Sequence, residues 1–188
     1  MSGRILRAAE ATLQPWKNGL GLTRELAVYP PGAGMDDFLW RCSVAEVGGD
    51  APFSRFDGID RQIVLLEGAG FTMTLDQQHT HALRQPLQPF AFAGEAQVAV
   101  TLADGPTRDF NLMLRRGCVR ATLRVYQDAG AQPLGPHDVL VYCARGNLQL
   151  AGEVLRAGDA WLPDHPSAQV LALPPGAAAL VVDIQPLA

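Results

Sequence analysis

Lysine is almost absent from this sequence of 188 residues. Lys17 is the only one among 15 basic residues, and the other 14 are arginines. The basic residues form no run, and the formal net charge is −4. Binding of nucleic acid requires clustered Lys and Arg side chains that displace counterions from phosphates. The composition therefore excludes nucleic acid as the expected partner.

Cysteine is scarce as well, and its positions follow no pattern. Cys42, Cys118 and Cys143 are odd in number, widely spaced and form no CxxC pair. Zinc sites and disulfide frameworks use paired cysteines at short or regular spacings. We expect three buried, reduced thiols, none of which acts as a nucleophile.

Long hydrophobic runs are also missing. The longest, such as Ala177 to Val182, fall far short of the roughly 20 apolar residues that a membrane helix needs. The first 18 residues contain no apolar core of a signal peptide. The sequence therefore predicts a cytoplasmic protein with no membrane partner.

Long helices have little room among 19 glycines and 14 prolines. Only turns near residues 8–13 and 54–59 are helical candidates. Alternation predicts strands instead: in FLWRCSV, Trp40 and Cys42 face one way while Arg41 and Ser43 face the other. The same criterion gives strands at 23–29, 38–44, 62–66, 71–75, 97–102, 109–114, 118–127, 139–143, 160–162, 169–173 and 180–184.

A weak internal repeat indicates how these strands are arranged. Residues 61–100 and 138–173 share an order of apolar strand, glycine turn, hairpin and further strands, and LRAGDAWLP resembles a turn of the cupin barrel. The fold class is therefore expected to be all-β, a bicupin with one barrel in 1–117 and another in 118–188. A single distorted β-sandwich is the alternative.

The histidines do not form the metal site that many cupins carry, which uses three His and one Glu. His79 and His81 are spaced so that both project from one strand face, but no carboxylate follows within four residues. Gln97 and Ala168 stand where a further histidine would fall. We expect His79 and His81 to lie on a hairpin surface, and we predict no metal and no other cofactor.

No motif of covalent catalysis is present. The sequence has no GxSxG, no cysteine with a nearby histidine and no paired acidic motif in a glycine-rich turn. The GLG at 19–21 lacks the preceding strand and the following helix of a dinucleotide site. No residue is assigned a catalytic role, and enzymatic activity stays an open alternative.

Polar and aromatic residues cluster in the first third of the chain. WKNGLGLTRE is followed by WRCS at 40–43 and APFSRFDGIDR at 51–61, and DFNLM at 109–113 places Asp109 and Asn111 on one strand face. A barrel lumen lined by cations, amides, hydroxyls and aromatic rings is typical of a pocket for a small anion. The lone Lys17 indicates a position where a compact ammonium fits and a planar guanidinium does not.

Each of these residues also has a purely structural interpretation. The tryptophans can be core, Asp109 and Asn111 can cap strand ends, and a single lysine can be chance. Arg24, Arg41 and Arg61 can be the ion-pair partners of Glu25, Glu46 and Asp60, and Asp57–Gly58 can be a turn.

The motifs occur in an order that resembles the HutD/Ves family of histidine-utilisation operons. They are Pro15–Glu25, Phe38–Val47, Pro52–Arg61, Leu65–Gly68, Pro89–Gly94 and Asp109–Met113. Leu20 and Leu22 stand where the family has a glycine and a threonine. The resemblance implies a bicupin without catalytic metal in a bacterial cytoplasm. It also implies a role in restraining histidine catabolism by binding an intermediate such as urocanate or formylglutamate.

Taken together, residues and resemblance predict a protein that binds a carboxylate and senses or limits the pathway. Lys17, Arg41 and Arg61 bind the carboxylate, Asn18, Ser43 and Asn111 orient it, and Trp16 and Trp40 pack against its remainder. The full set of predicted ligand-binding residues is Trp16, Lys17, Asn18, Thr23, Arg24, Trp40, Arg41, Ser43, Phe53, Ser54, Arg61, Asp109 and Asn111. A metal-independent cupin enzyme and a protein-interaction module are the alternatives, and a homodimer is compatible with all three.

Overall fold

A computed structural model describes residues 3–16, 18–165 and 168–187. These residues form nineteen β-strands and one short 3-10 helix, Ala8–Glu10. The strands are β1 Gly3–Leu6, β2 Gln14–Pro15, β3 Gly21–Tyr29, β4 Trp40–Val47, β5 Ala51–Pro52, β6 Ile59–Glu67, β7 Phe71–Leu75, β8 His79–Leu83, β9 Pro89–Ala93, β10 Val98–Leu102, β11 Thr107–Arg115, β12 Val119–Tyr126, β13 Gly130–Leu134, β14 Asp138–Arg145, β15 Asn147–Leu150, β16 Glu153–Arg156, β17 Ala160–Pro163, β18 Gln169–Leu173 and β19 Ala178–Pro186.

Every strand predicted from alternation is present, with bounds that differ by a few residues. The turn near 8–13 is helical at Ala8–Glu10. The prediction of a helical turn near 54–59 is wrong, because these residues are not helical. The backbone N–H of Phe53 donates to Val98 O at 2.9 Å, and that of Phe56 donates to Gly94 O at 2.8 Å. These bonds to a distant segment replace the local bonds that a helical turn requires. Asp57–Gly58 form the expected turn, with Gly58 at φ +73°.

The chain divides into two compact units, one of which is residues 12–119. Its two sheets are antiparallel, with strand orders β2-β3-β4-β11-β6-β9 and β5-β10-β7-β8. A hydrophobic core joins residues of both sheets, among them Ile63, Leu65, Phe71, Met73 and Val100. The central strands β4 and β11 are buried on both faces, so even polar residues on them are buried.

The other unit contains residues 120–188 together with 1–11. Its sheets have the orders β1-β17-β14-β19-β12 and β13-β18-β15-β16. The N-terminal strand belongs here because Gly3 to Leu6 pair with Pro163 to Ala160, and Arg7 binds Asp159 at 2.9 Å. From the sequence, residues 1–11 were expected in the N-terminal barrel. The pairing of β1 with β17 is a long-range contact that alternation does not reveal.

None of the described helical residues forms a segment long and apolar enough to cross a membrane.

Candidate functional site

The candidate site lies on one face of the six-stranded sheet of the 12–119 unit, where β4, β11 and β6 are neighbours. The register places Arg41 opposite Met113, and Met113 opposite Arg61. Two residues further along these strands, Ser43 lies opposite Asn111. Alternate residues of a strand share a face, so these side chains point to the same side of the sheet.

That side opens into a pocket of about 560 Å³. The lining residues are Gln14, Pro15, Trp16, Asn18, Thr23, Met35, Arg41, Ser43, Ala45, Pro52, Phe53, Ser54, Phe56, Arg61, Asn111 and Met113. Nine of the thirteen residues predicted from the sequence are in this set. The volume falls within the range of small-molecule sites.

Arg61 is a closely confined cation of the pocket, with only 8% of its surface exposed. Its Nη2 donates to Asn111 Oδ1 at 3.0 Å and its Nη1 to Ser54 O at 3.4 Å, while its buried Nε has no partner. Three aromatic rings surround the guanidinium: Phe92 at 4.8 Å, Phe53 at 5.4 Å and Phe56 at 5.6 Å from ring centroid to Cζ.

The charge of Arg61 is only partly compensated by the protein. Burial lowers the pKa of Arg61 to about 10, with Asp109 opposing the shift and Arg41 adding to it. A cation in this state still carries its proton at neutral pH. It retains an unused donor, which is what an anion needs from a binding site.

Asp109 lies behind Asn111 and does not line the pocket. Its carboxyl group is fully buried. Oδ1 accepts a short hydrogen bond from Asn111 Nδ2, and Oδ2 has no partner. Burial raises the pKa of Asp109 to about 7, against the lowering effects of Asn111 and Arg61. The alternative that Asp109 and Asn111 cap strand ends is wrong, because both lie within β11.

Arg41 is the second cation of the pocket and is equally buried, at 8% exposure. Its Nε donates to Glu25 Oε2 at 2.8 Å, and its Nη1 donates to Ser43 Oγ at 3.2 Å. A guanidinium has five N–H donors, so Arg41 keeps donors beyond these two bonds. The side chain of Glu25 is 41% exposed, so water screens this ion pair.

One rim of the pocket is built around Trp16. Its Nε1 donates to Thr23 Oγ1 at 2.8 Å, and its ring packs edge-on against Phe53. Gly21 makes this position available, since a Cβ there would lie 2.8 Å from the Trp16 ring and 2.7 Å from Glu46 O. Asn18 uses its Oδ1 to accept the Leu20 amide at 3.0 Å, which leaves its Nδ2 for another partner.

Of the predicted residues that the structure describes, Arg24, Trp40 and Asp109 do not line the pocket. Lys17 lies outside the described residues. Arg24 and Asp109 are buried but do not line the cavity. Trp40 stacks on Tyr29 with ring centroids 6.0 Å apart, because neighbouring residues of β4 alternate between faces and Arg41 takes the pocket side.

Two of the ion pairs in the purely structural interpretation, Arg41 with Glu46 and Arg61 with Asp60, are replaced by other pairs in the structure. Arg41 pairs with Glu25, not with Glu46. Glu46 lies 3.8 Å from Arg108, and Asp60 lies 2.7 Å from Arg116. Cross-strand register, which the sequence does not give directly, decides these pairs.

Several lining residues were not predicted from the sequence. Met113 and Ala45 could have been found, since each follows a predicted residue by two positions on its strand. Phe56 lies three residues after Phe53 in an irregular segment, where no periodicity applies. Met35 and Gln14 come from loop and edge segments and carry no local signal.

Histidines and cysteines contribute nothing to this pocket. Within 3–16, 18–165 and 168–187, no group of three or more His, Cys, Asp or Glu side chains is placed to hold a metal ion. His79 and His81 lie on β8, where His81 stacks on Phe90. Burial raises the pKa of the Cys42 thiol, and Cys143 is buried too. Cys118 is exposed, contrary to expectation, because it lies in the turn before β12.

Comparison with known proteins gives consistent matches. The model of the HutD family matches residues 8–181. Protein Ves of Citrobacter koseri is 38% identical over 149 residues, which cover 78% of this chain and 76% of that protein. An uncharacterized 21.2 kDa protein in the hutC 3′ region of Pseudomonas putida is 37% identical over 158 residues, or 82% of each chain.

Solved structures show the same fold. HutD from Pseudomonas fluorescens SBW25 has a TM-score of 0.86 and 32% identity, with both chains covered in full. Ylba from E. coli, of the family DUF861, has a TM-score of 0.76 at 9% identity, covering 98% of this chain and 91% of that one. The chain is therefore all-β with a cupin-like fold, as its sequence predicts.

Proposed function

This chain belongs to the HutD family, and we propose that it binds a small carboxylate of histidine catabolism in the pocket around Arg61 and Arg41. Arg61 is the observation that carries this proposal. It is a buried guanidinium whose Nε has no partner, and it faces a cavity of about 560 Å³. The bonds to Ser54 and Asn111 use only two of its five N–H donors, so the guanidinium keeps further donors that can bind a carboxylate through charge-assisted hydrogen bonds.

The residues around the two arginines support a ligand with an anionic end and an apolar remainder. Ser43 and Asn111 lie opposite each other on adjacent strands, Ser43 bonded to Arg41 and Asn111 to Arg61, and they offer hydrogen bonds that orient the anion. Trp16, Phe53 and Phe56 form an apolar wall. Urocanate combines one carboxylate with a flat imidazole ring, and formylglutamate carries two carboxylates on a short aliphatic chain, so each offers an anionic group to the arginines and a part that can pack on the aromatic wall.

The biological setting comes from the family. One relative lies in the hutC 3′ region, and another is HutD itself. In our proposal, the protein is a cytoplasmic bicupin whose ligand-bound and free forms report or limit the flux of histidine degradation. Lys17 belongs to the proposed carboxylate-binding group beside Arg41 and Arg61.

A thermal-shift panel tests the proposal. Urocanate, formylglutamate, glutamate and histidine are each added to the purified protein. A ligand at 100 times its dissociation constant stabilises the native state by about 2.7 kcal/mol. At about 2–4 °C per kcal/mol for a chain of this size, that is a rise in Tm of about 5–10 °C. No shift with any carboxylate contradicts the proposal.

Turnover distinguishes binding from the enzyme alternative. Each compound that shifts the Tm is incubated with the protein and followed by mass spectrometry. Unchanged ligand supports a binding protein, whereas a new mass supports a metal-independent enzyme acting through the same pocket.

A further inference from the structure

Asp109, Asn111 and Arg61 form a continuous polar connection from a fully buried carboxyl group to the pocket. Asn111 Nδ2 donates to Asp109 Oδ1, and Asn111 Oδ1 accepts from Arg61 Nη2 at 3.0 Å. Of these three residues, Asn111 and Arg61 line the cavity and Asp109 does not. A substrate in the pocket can therefore contact Arg61 and Asn111, whereas it reaches Asp109 only through them.

Both ends of this connection have an unsatisfied atom. Asp109 Oδ2 is buried with no hydrogen-bond partner, and so is Arg61 Nε. A buried carboxylate oxygen that accepts no hydrogen bond raises the free energy of the charged form of the group. A bound anion would satisfy the arginine end while placing a second negative charge near Asp109.

We infer that Asp109 is a proton-binding group which controls, through Asn111, how strongly Arg61 holds an anion, so that carboxylate binding is accompanied by proton uptake. This inference rests on the proposed function. Asp109 is a positioning residue, since it does not touch the ligand. The ionised form of Asp109 partly neutralises the charge of Arg61 and so weakens its attraction for the ligand. The neutral form does not, so the ligand binds more tightly.

Among the residues that the structure describes, Arg61 is the charged side chain that acts on Asp109, and Arg41 acts on Arg61. Arg61 lies on β6 and Arg41 on β4, and Arg41 is bound to Glu25 of β3. Arg61 is the charged group that lowers the pKa of Asp109, and burial is the larger, opposing effect that places it at about 7. Asp109 is thus poised to change its charge within the physiological range.

The test measures formylglutamate binding by isothermal titration calorimetry between pH 5.5 and 8.5. Its carboxyl groups have ordinary pKa values of about 4 and stay ionised throughout, unlike the imidazole of urocanate. If binding raises the pKa of Asp109 by about one unit, the affinity at pH 6 is about sevenfold that at pH 8.5. Titrations at pH 7 in buffers of different ionisation enthalpy then show an uptake of about 0.4 proton per ligand.

Two variants identify the group responsible. Asp109→Asn keeps the side-chain shape without the titration, so its affinity no longer changes with pH. His81→Gln removes the histidine that stacks on Phe90 and keeps the dependence of the wild type. A pH-independent affinity in the wild type, or a loss of the dependence in His81→Gln instead, overturns the inference.

A titration without ligand separates this inference from the proposed function. Carboxyl ¹³C NMR of the free protein follows Asp109, whose midpoint is expected near neutrality and higher still in Arg61→Gln, where the stabilising cation is missing. If formylglutamate fails to bind at every pH, the proposed function fails for that ligand, and this NMR shift still decides the coupling. A midpoint below about 5, or no shift in Arg61→Gln, overturns the inference.

Discussion

Arg41 and Arg61 flank Met113 in one row of the sheet, each on a strand adjacent to β11. Two steps of inter-strand spacing separate their backbones by about 10 Å. Both guanidinium groups line the same pocket, and each adds to its electrostatic preference for anions. A small ligand can therefore bind above Met113, between Arg41 and Arg61. Asn111 and Ser43 form the next row on the same face of the sheet.

Gly21→Ala is expected to lower both stability and ligand affinity. The new Cβ would lie 2.7 Å from Glu46 O and 2.8 Å from the Trp16 ring, so the ring has to move. Overpacking of this kind costs about 1–3 kcal/mol, a fall in Tm of about 2–12 °C. Thermal melts measure the Tm of Gly21→Ala. Gly48→Ala is the control, because its Cβ would meet only Leu20 O, at 3.6 Å. Equal Tm values for the two variants would show that Trp16 is not packed on Gly21.

Asp109→Asn is expected to stabilise the protein at pH 8 but not at pH 5. The native pKa of Asp109 is about 7, against an ordinary value of 3.8. The native state therefore binds more protons between these values, and the contribution of Asp109 to stability falls as the pH rises through this window. At pH 8 the wild type must bury a charge that the amide lacks. Tm values of both proteins at pH 5 and pH 8 measure this difference, and a variant that is destabilised equally at both would contradict it.

Lys17→Met is expected to weaken carboxylate binding by about 10- to 150-fold, because a hydrogen bond to a charged group contributes about 1.5–3 kcal/mol. Its sequence neighbours Trp16 and Asn18 both line the pocket. Lys17→Arg should also lose affinity, since the guanidinium is larger and differently shaped. Calorimetry with urocanate and formylglutamate measures both variants. Wild-type affinity in Lys17→Met would make this lysine irrelevant to binding.

The sequence predicted the strands well because alternation is a local property. Trp40 to Val44 show its limits: the pattern correctly put Arg41 and Ser43 on one face, but it could not show that both faces of β4 are buried. Strand pairing is non-local, so neither the partner of Arg41 nor the place of residues 1–11 could be predicted.

The residues of the candidate site that could be predicted are those on regular strands or in family motifs. Arg41, Ser43, Arg61 and Asn111 were found by type and spacing, and the structure places them around one cavity. Asp109 and Asn111 are two positions apart on one strand face, but only Asn111 lines the pocket and Asp109 is buried away from it. Alternation gives the face of a residue and not its distance from the pocket, so this difference could not be predicted.

The affinity of Arg61→Met for urocanate and formylglutamate tests the central claim most directly. Loss of one charge-assisted hydrogen bond should weaken binding by about 10- to 150-fold relative to the wild type. Arg84→Met is the matched control, because Arg84 is exposed, belongs to the same unit and its side chain donates to Thr72 Oγ1. The account predicts wild-type affinity for this control and the loss for Arg61→Met alone. Equal affinity of all three proteins for a carboxylate that binds the wild type would show that the ligand does not bind at Arg61.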